Sequence, residues 1–199
     1  MKTIRVMIVA VGGQGNILAA RVLGETAVAA GIDVRMSEFH GMAQRGGVVE
    51  SMVLLGDGTG YCIADGEADV LLGFEPSETI RAAAKCSSSS IVITNTVPLP
   101  PFTVAMGQAQ YPQMPESLKK LASRVQNLIM LDALKIATEA GSPLAVNMAM
   151  LGALAGTGIL PMEPDLFCRI IEEKTKKRFV EINLKAFQAG MMQADNTRS

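Results

Sequence analysis

Two short stretches carry the residue types that could do chemistry. The first is Gly12-Gly13-Gln14-Gly15, directly after an apolar run and directly before a helical pattern. Glycines placed there can take positive φ and let a ligand approach the backbone closely. The following helix would aim unpaired N–H groups and its positive dipole end at the same point, which is chemistry suited to a phosphate. A dinucleotide fingerprint wants G-x-G-x-x-G and an acid about twenty residues further on. Here Ala10 replaces the first glycine, giving A-V-G-G-Q-G, while Glu38 stands where a ribose-binding acid could sit. Three readings stay open: a nicotinamide cofactor, another phosphate, or a tight strand-to-helix turn with no ligand.

The second stretch is S-E-F-H-G-M-A-Q-R-G-G, Ser37 to Gly47. His40 is the only histidine, with Glu38, Gln44 and Arg45 around it and Gly41, Gly46 and Gly47 between. In a doubly wound fold this loop leaves the carboxyl end of the second strand, beside the glycine loop. Arg45 can hold a phosphate bidentately. His40 is either a hydrogen-bonded structural group or a weak catalytic candidate. The glycines flanking Arg45 serve equally as turn residues. Other motifs fail. Gly56-Asp57-Gly58 looks like the start of a thiamine diphosphate, magnesium-binding motif, but positions 81 to 88 hold no asparagine to complete the metal site and Asn95 lies too far on. No P-loop, G-x-S-x-G elbow or H-E-x-x-H helix occurs.

The elements that must position these loops read as an alternation of strands and helices. Ile4 to Val11 is a short β-branched apolar run, the pattern of a strand buried on both faces. Asn16 to Ala30 reads as a helix ended by Gly31, and Ile32 to Met36 as a second strand. Val48 to Leu55 and Tyr61 to Ala64 flank Asp57-Gly58, which predicts a β-hairpin. Asp69 to Phe74 is a buried strand, Ser77 to Lys85 a helix, Ser87 to Ser90 a serine linker and Ile91 to Thr94 a strand. Prolines from Pro98 to Pro115 mark an irregular excursion. Glu116 to Arg124, Asp132 to Ala140, Ala145 to Ala155, Glu163 to Lys176 and Asn183 to Met192 read as helices, with a strand at Leu128 to Leu131. The sum is one three-layer α/β domain over residues 1–192. It has a doubly wound, mostly parallel Rossmann-like sheet, a β-hairpin extension and a frayed tail at 193–199.

Composition narrows the function classes. Formal net charge is -1 and no long basic run occurs, which argues against a nucleic-acid partner. Charged residues make up only 19%, which favours large contact surfaces over a solvated shell. The start of the chain reads as a first strand rather than a signal peptide. No apolar run reaches the ~18 residues of a membrane span. A soluble, cytoplasmic protein is expected. Cys62, Cys86 and Cys168 are far apart and form no C-x-x-C pair, so no metal or cluster site is expected on this chain.

V-G-G-Q-G after the first strand and S-E-F-H-G-M-A-Q-R-G-G after the second resemble the gamma-type subunit or domain of 2-oxoacid:ferredoxin oxidoreductases, in particular the beta subunit of the indolepyruvate branch. Asn147 with Leu151-Gly152-Ala153, and Glu181-x-Asn183-x-x-Ala186-Phe187-x-x-Gly190, are similar to that family's closing segment. The resemblance implies an accessory subunit, inactive when isolated. Its larger partner would carry thiamine diphosphate and iron–sulfur clusters, decarboxylate an aryl 2-oxoacid such as indolepyruvate, pass electrons to ferredoxin and release an acyl-CoA. Gly12, Gly13, Gln14, Gly15, Glu38, His40, Gly41, Gln44, Arg45 and Gly46 become candidates for a coenzyme A or partner-facing site. Asn16 departs from the apolar residue expected after G-G-Q-G, and alters the start of the helix or adds a ligand contact. Two rivals stand beside this reading: a self-contained NAD(P)-binding oxidoreductase, and a ligand-free structural interaction module. A homo-oligomer of the isolated chain also stays open.

Overall fold

The structure, a computed structural model, describes residues 2–41, 47–100, 104, 106–108 and 110–195. Six strands form one sheet in the order β2-β3-β1-β4-β5-β6. They are β1 (Ile4–Val11), β2 (Val34–His40), β3 (Val48–Leu55), β4 (Ala68–Gly73), β5 (Cys86–Asn95) and β6 (Asn127–Leu131). β1, β4, β5 and β6 run parallel, while β3 runs antiparallel between β1 and β2.

Alternation along β1 builds two cores, because successive side chains leave opposite faces of a strand. Val6, Ile8 and Ala10 face one hydrophobic cluster and Met7 and Val9 the other. The first cluster is closed by α1 (Asn16–Ala29), α4 (Ala133–Ala140), α5 (Val146–Gly156), α6 (Pro164–Lys174) and α7 (Val180–Asp195). The second is smaller and is closed from α2 (Pro76–Arg81), its trailing short helix Ala82–Lys85, and α3 (Met114–Ala122). Small residues set the closest approaches: Ala19, Ala20 and Ala27 of α1 are fully buried against the sheet. α5 is apolar nearly all round because it lies between the sheet side and α7, and Phe187 of α7 stacks on Phe167 of α6 at 5.5 Å between ring centroids.

The doubly wound fold and its mostly parallel sheet agree with the expectation. Four details differ. β2 does not lie beside β1, because β3 inserts between them. The hairpin is β2–β3, joined by the loop after His40; no strand forms at residues 61–64. Tyr61 instead accepts a hydrogen bond on its carbonyl from Ser37 Oγ, which ties the turn over β2. Ser87 to Ser90 is not a linker but part of β5: Cys86 stands opposite Ala68 and Ile91 opposite Val70, so the serines are the bulged excess of the strand. Their hydroxyls replace the missing ladder bonds, with Ser87 N donating to Ser90 Oγ and Ser90 Oγ to the Ala68 carbonyl. Finally, α7 continues to Asp195, with Ala194 fully buried. Among the described residues no helix is long and apolar enough to cross a membrane.

Candidate functional site

The carboxyl ends of β1, β4 and β5 meet the amino end of α1 where the helices change sides of the sheet, the place where open α/β sheets bind ligands. Gly13 (φ 101°) and Gly15 (φ 81°) take left-handed conformations, so the chain can reverse from β1 into α1 within four residues. Gly15 caps α1 with no side-chain hydrogen bond. Gly13 is exposed, and a Cβ added to it would meet nothing within 4 Å.

The Gln14 amide is engaged within the fold at both ends. Its Oε1 accepts from Val11 N at 2.8 Å and its Nε2 donates to the Phe74 carbonyl at 3.1 Å. The side chain therefore bolts the loop to the ends of β1 and β4. Asn16 is equally internal: it is 2% exposed and its Nδ2 donates to Ser51 Oγ of β3. The polar residue in place of an apolar one joins the start of α1 to the inserted antiparallel strand.

The two glycine-rich loops are adjacent. Gly12 N donates to the Gly47 carbonyl at 2.7 Å, and Gly41 N to the Val48 carbonyl at 2.8 Å. Gln44, Arg45 and Gly46 lie outside the described residues. Glu38 and His40 stand at the end of edge strand β2, His40 exposed and its Nε2 3.6 Å from Glu38 Oε2. With β3 between, β2 is two strand spacings, roughly 10 Å, from β1. Glu38 thus does not occupy the neighbouring-strand position from which a ribose-binding acid reaches a glycine loop.

A cleft of about 280 Å³ opens at the glycine loop. Gly13, Gln14 and Gly15 form one wall; Val97, Pro98 and Leu99, after β5, form the opposite one; Leu134, Leu144 and Val146 close the side. Leu144 is 75% exposed. Beyond it lies a second cleft of about 340 Å³ with Leu18, Phe179 and Ile182 in its walls and Lys174 and Lys176 at its rim. Sequence reasoning does not single out Phe74, Glu75 or Tyr111. Glu75 is fully buried at the start of α2, and Tyr111 donates to its carboxylate. Burial first, and then that carboxylate, push the Tyr111 hydroxyl up from its ordinary pKa. On the other face of the sheet Arg81 bridges Glu50 at 2.6 Å and Glu78 at 2.7 Å; burial raises the Glu78 carboxyl against the pull of Arg81. Among the described residues no group of three His, Cys, Asp or Glu could hold a metal ion.

A family model described as pyruvate ferredoxin/flavodoxin oxidoreductase matches residues 5–193. The chain is 42% identical over 180 residues to the indolepyruvate oxidoreductase subunit IorB of Methanothermobacter thermautotrophicus, covering 90% of this chain and 92% of that one. It is 38% identical over 197 residues to the subunit of the same name from Pyrococcus horikoshii, covering 98% and 97%. Among solved structures, the gamma subunit of a keto/oxoacid ferredoxin oxidoreductase from Geobacter sulfurreducens superposes with a TM-score of 0.70 at 22% identity, over 96% of this chain and 98% of that one. A 2-oxoglutarate:ferredoxin oxidoreductase from Magnetococcus marinus, solved with 2-oxoglutarate, coenzyme A and succinyl-CoA bound, gives 0.75 at 19% identity, over 98% of this chain and 32% of that one. These two likenesses are of fold.

Proposed function

As the chain belongs to the pyruvate ferredoxin/flavodoxin oxidoreductase family, we propose that its glycine-loop cleft receives coenzyme A within an assembled 2-oxoacid:ferredoxin oxidoreductase. The chain is the small subunit of such an enzyme. The observation that carries the reading is the meeting of Gly13 and Gly15, both left-handed, with an uncapped helix start on a cleft of apolar walls. The helix end suits the phosphates, and Val97, Leu99, Leu134, Leu144 and Val146 suit the pantetheine chain. Thiamine diphosphate and iron–sulfur clusters belong to the larger partner subunit, where decarboxylation and electron transfer to ferredoxin take place. An aryl 2-oxoacid such as indolepyruvate is the substrate that the names of the relatives favour. The single domain works where that partner works, in the cytoplasm. Its task is to hold the thiol-bearing carrier while the acyl group is handed over.

Leu144 gives a direct test, because it is exposed at the mouth of the cleft and its replacement leaves the core intact. Leu144→Glu in the reconstituted complex should raise the KM for coenzyme A about tenfold, since an unscreened like charge near a phosphate costs about 1 kcal/mol or more. Leu144→Lys, which loses the same apolar contact without the repulsion, should raise that KM by clearly less. Equal increases from both variants would mean lost packing rather than repulsion, and would remove the phosphates from this cleft. Arg45→Ala tests the second loop. It should weaken coenzyme A use while decarboxylation measured without coenzyme A stays largely intact; an unchanged KM for coenzyme A would take Arg45 out of the site.

A further inference from the structure

We propose that the Phe74–Glu75 junction is the hub that sets the width of the cleft, with Glu75 a positioning residue for coenzyme A; this rests on the cleft being the coenzyme A site. The junction holds both walls. On the near side, the Phe74 carbonyl accepts from Gln14 Nε2 of the glycine loop and from Asn95 Nδ2 at the end of β5, each at 3.1 Å. On the far side, Glu75 Oε1 accepts from Leu99 N at 3.3 Å and from the Tyr111 hydroxyl at 2.5 Å. Leu99 is itself part of the far wall. The other oxygen, Oε2, accepts from Glu78 N and from Ser77 Oγ, capping α2.

A carboxylate that is fully buried is retained only where its charge is met. Among the described residues no cation stands within ion-pair distance of Glu75; four donors hold it instead. All four point inward, and two are backbone N–H groups that cannot reverse. Glutamine therefore cannot replace it quietly. Turned one way, the amide nitrogen introduced by Glu75→Gln would face Leu99 N; turned the other, it would face Glu78 N. An ordinary N-capping role needs only the Oε2 pair. The Oε1 pair adds nothing to α2; it holds Leu99 in the cleft wall and Tyr111 further along the chain before α3.

The two oxygens can be tested separately in the complex with the larger subunit. Tyr111→Phe removes one donor on the cleft side, and Ser77→Ala one donor on the cap side. Tyr111→Phe should raise the KM for coenzyme A about threefold and Glu75→Gln about tenfold, the range expected for one lost neutral or charged hydrogen bond. The kcat at saturating coenzyme A should stay within about twofold. Amide exchange at Leu99 should accelerate in both, with β1 still protected. Ser77→Ala should leave the KM and the Leu99 exchange rate unchanged while lowering stability. Equal KM effects from Ser77→Ala and Tyr111→Phe would overturn the proposal, since a general loss of stability would explain both. So would an unchanged KM in Glu75→Gln and Tyr111→Phe while Leu144→Glu still raises it; the coenzyme A site would then stand and the hub would fall. If Leu144→Glu also changes nothing, the site assignment itself falls, and the positioning role with it.

Discussion

Gly152→Ala is expected to destabilise the protein by about 3 kcal/mol or more, the upper range for overpacking a close-packed core. A Cβ at Gly152 would lie 1.9 Å from the Phe187 carbonyl oxygen and 2.8 Å from its carbonyl carbon. Those atoms are backbone of α7, so no rotamer change can yield. The two helices would have to move apart by roughly an ångström to restore ordinary contact. They cannot part at one point only. Gly190 of α7 approaches Ala149 in the same way, its Cβ falling 2.0 Å from that carbonyl oxygen, and a Cβ at Gly156 would stand 2.5 Å from the Met191 carbonyl oxygen. Moving α7 outward also pulls Phe187 off Phe167 and uncovers Ala186, both fully buried now. Ordinarily alanine in place of a helical glycine stabilises a helix by up to ~1 kcal/mol. The sign of the effect therefore separates packing from propensity. Chemical unfolding of the purified protein would show it, and a variant as stable as the parent would mean that α5 and α7 are not in this register.

That helix contact is half legible in the sequence. A nearly all-apolar segment with small residues reads as a buried helix, and Gly152 and Gly190 stand within stretches that resemble the family's closing segment. Which helix it meets is a tertiary fact. The same limit recurs across the fold. β1 and the glycine loop are readable because a β-branched run followed by glycines has few other uses. β3 is equally apolar, but nothing in a run such as V-V-E-S-M-V-L-L records its direction, so its antiparallel insertion between β1 and β2 is not legible. β2 reads as ending at Met36, four residues short, because Ser37, Glu38 and His40 lie on an edge strand whose outer residues carry no hydrophobic alternation. The serines of β5 read as a linker because hydroxyls that staple a bulge look, in one dimension, like loop composition. In the site, glycines announce themselves through backbone needs. Gln14, Asn16 and Glu75 do not, since each is defined by partners far along the chain: Phe74, Ser51 and Tyr111. The Gln14 and Asn16 amides, which in one dimension look like ligand donors, are bonded into the framework of the fold.

Gly15→Ala should reduce stability for two reasons, backbone strain at the turn and a clash with one neighbour from a distant helix, and under the proposed reading it should weaken coenzyme A use as well. At φ 81° and ψ 22° an alanine is strained by roughly 1–2 kcal/mol. Its Cβ would also fall 2.8 Å from Asn147 Nδ2, the first turn of α5, where Asn147 is 4% exposed and donates to the Gly15 carbonyl at 3.3 Å. Displacing that side chain forfeits a hydrogen bond of about 1 kcal/mol. The sum, about 2–3 kcal/mol, corresponds to a fall in melting temperature of roughly 4–12 °C for a domain of this size. Gly13→Ala supplies the contrast: its φ is also positive, but its Cβ would meet nothing within 4 Å, so only the strain applies. A double-mutant cycle isolates the contact. Asn147→Ala removes the group that the added methyl would strike, so the Gly15→Ala penalty measured in that background should shrink by about 1 kcal/mol. Strictly additive penalties would mean that Asn147 does not hold the loop. Under the coenzyme A reading proposed above, the KM for coenzyme A should follow Gly15→Ala in both backgrounds, since the left-handed turn that starts α1 is strained in each.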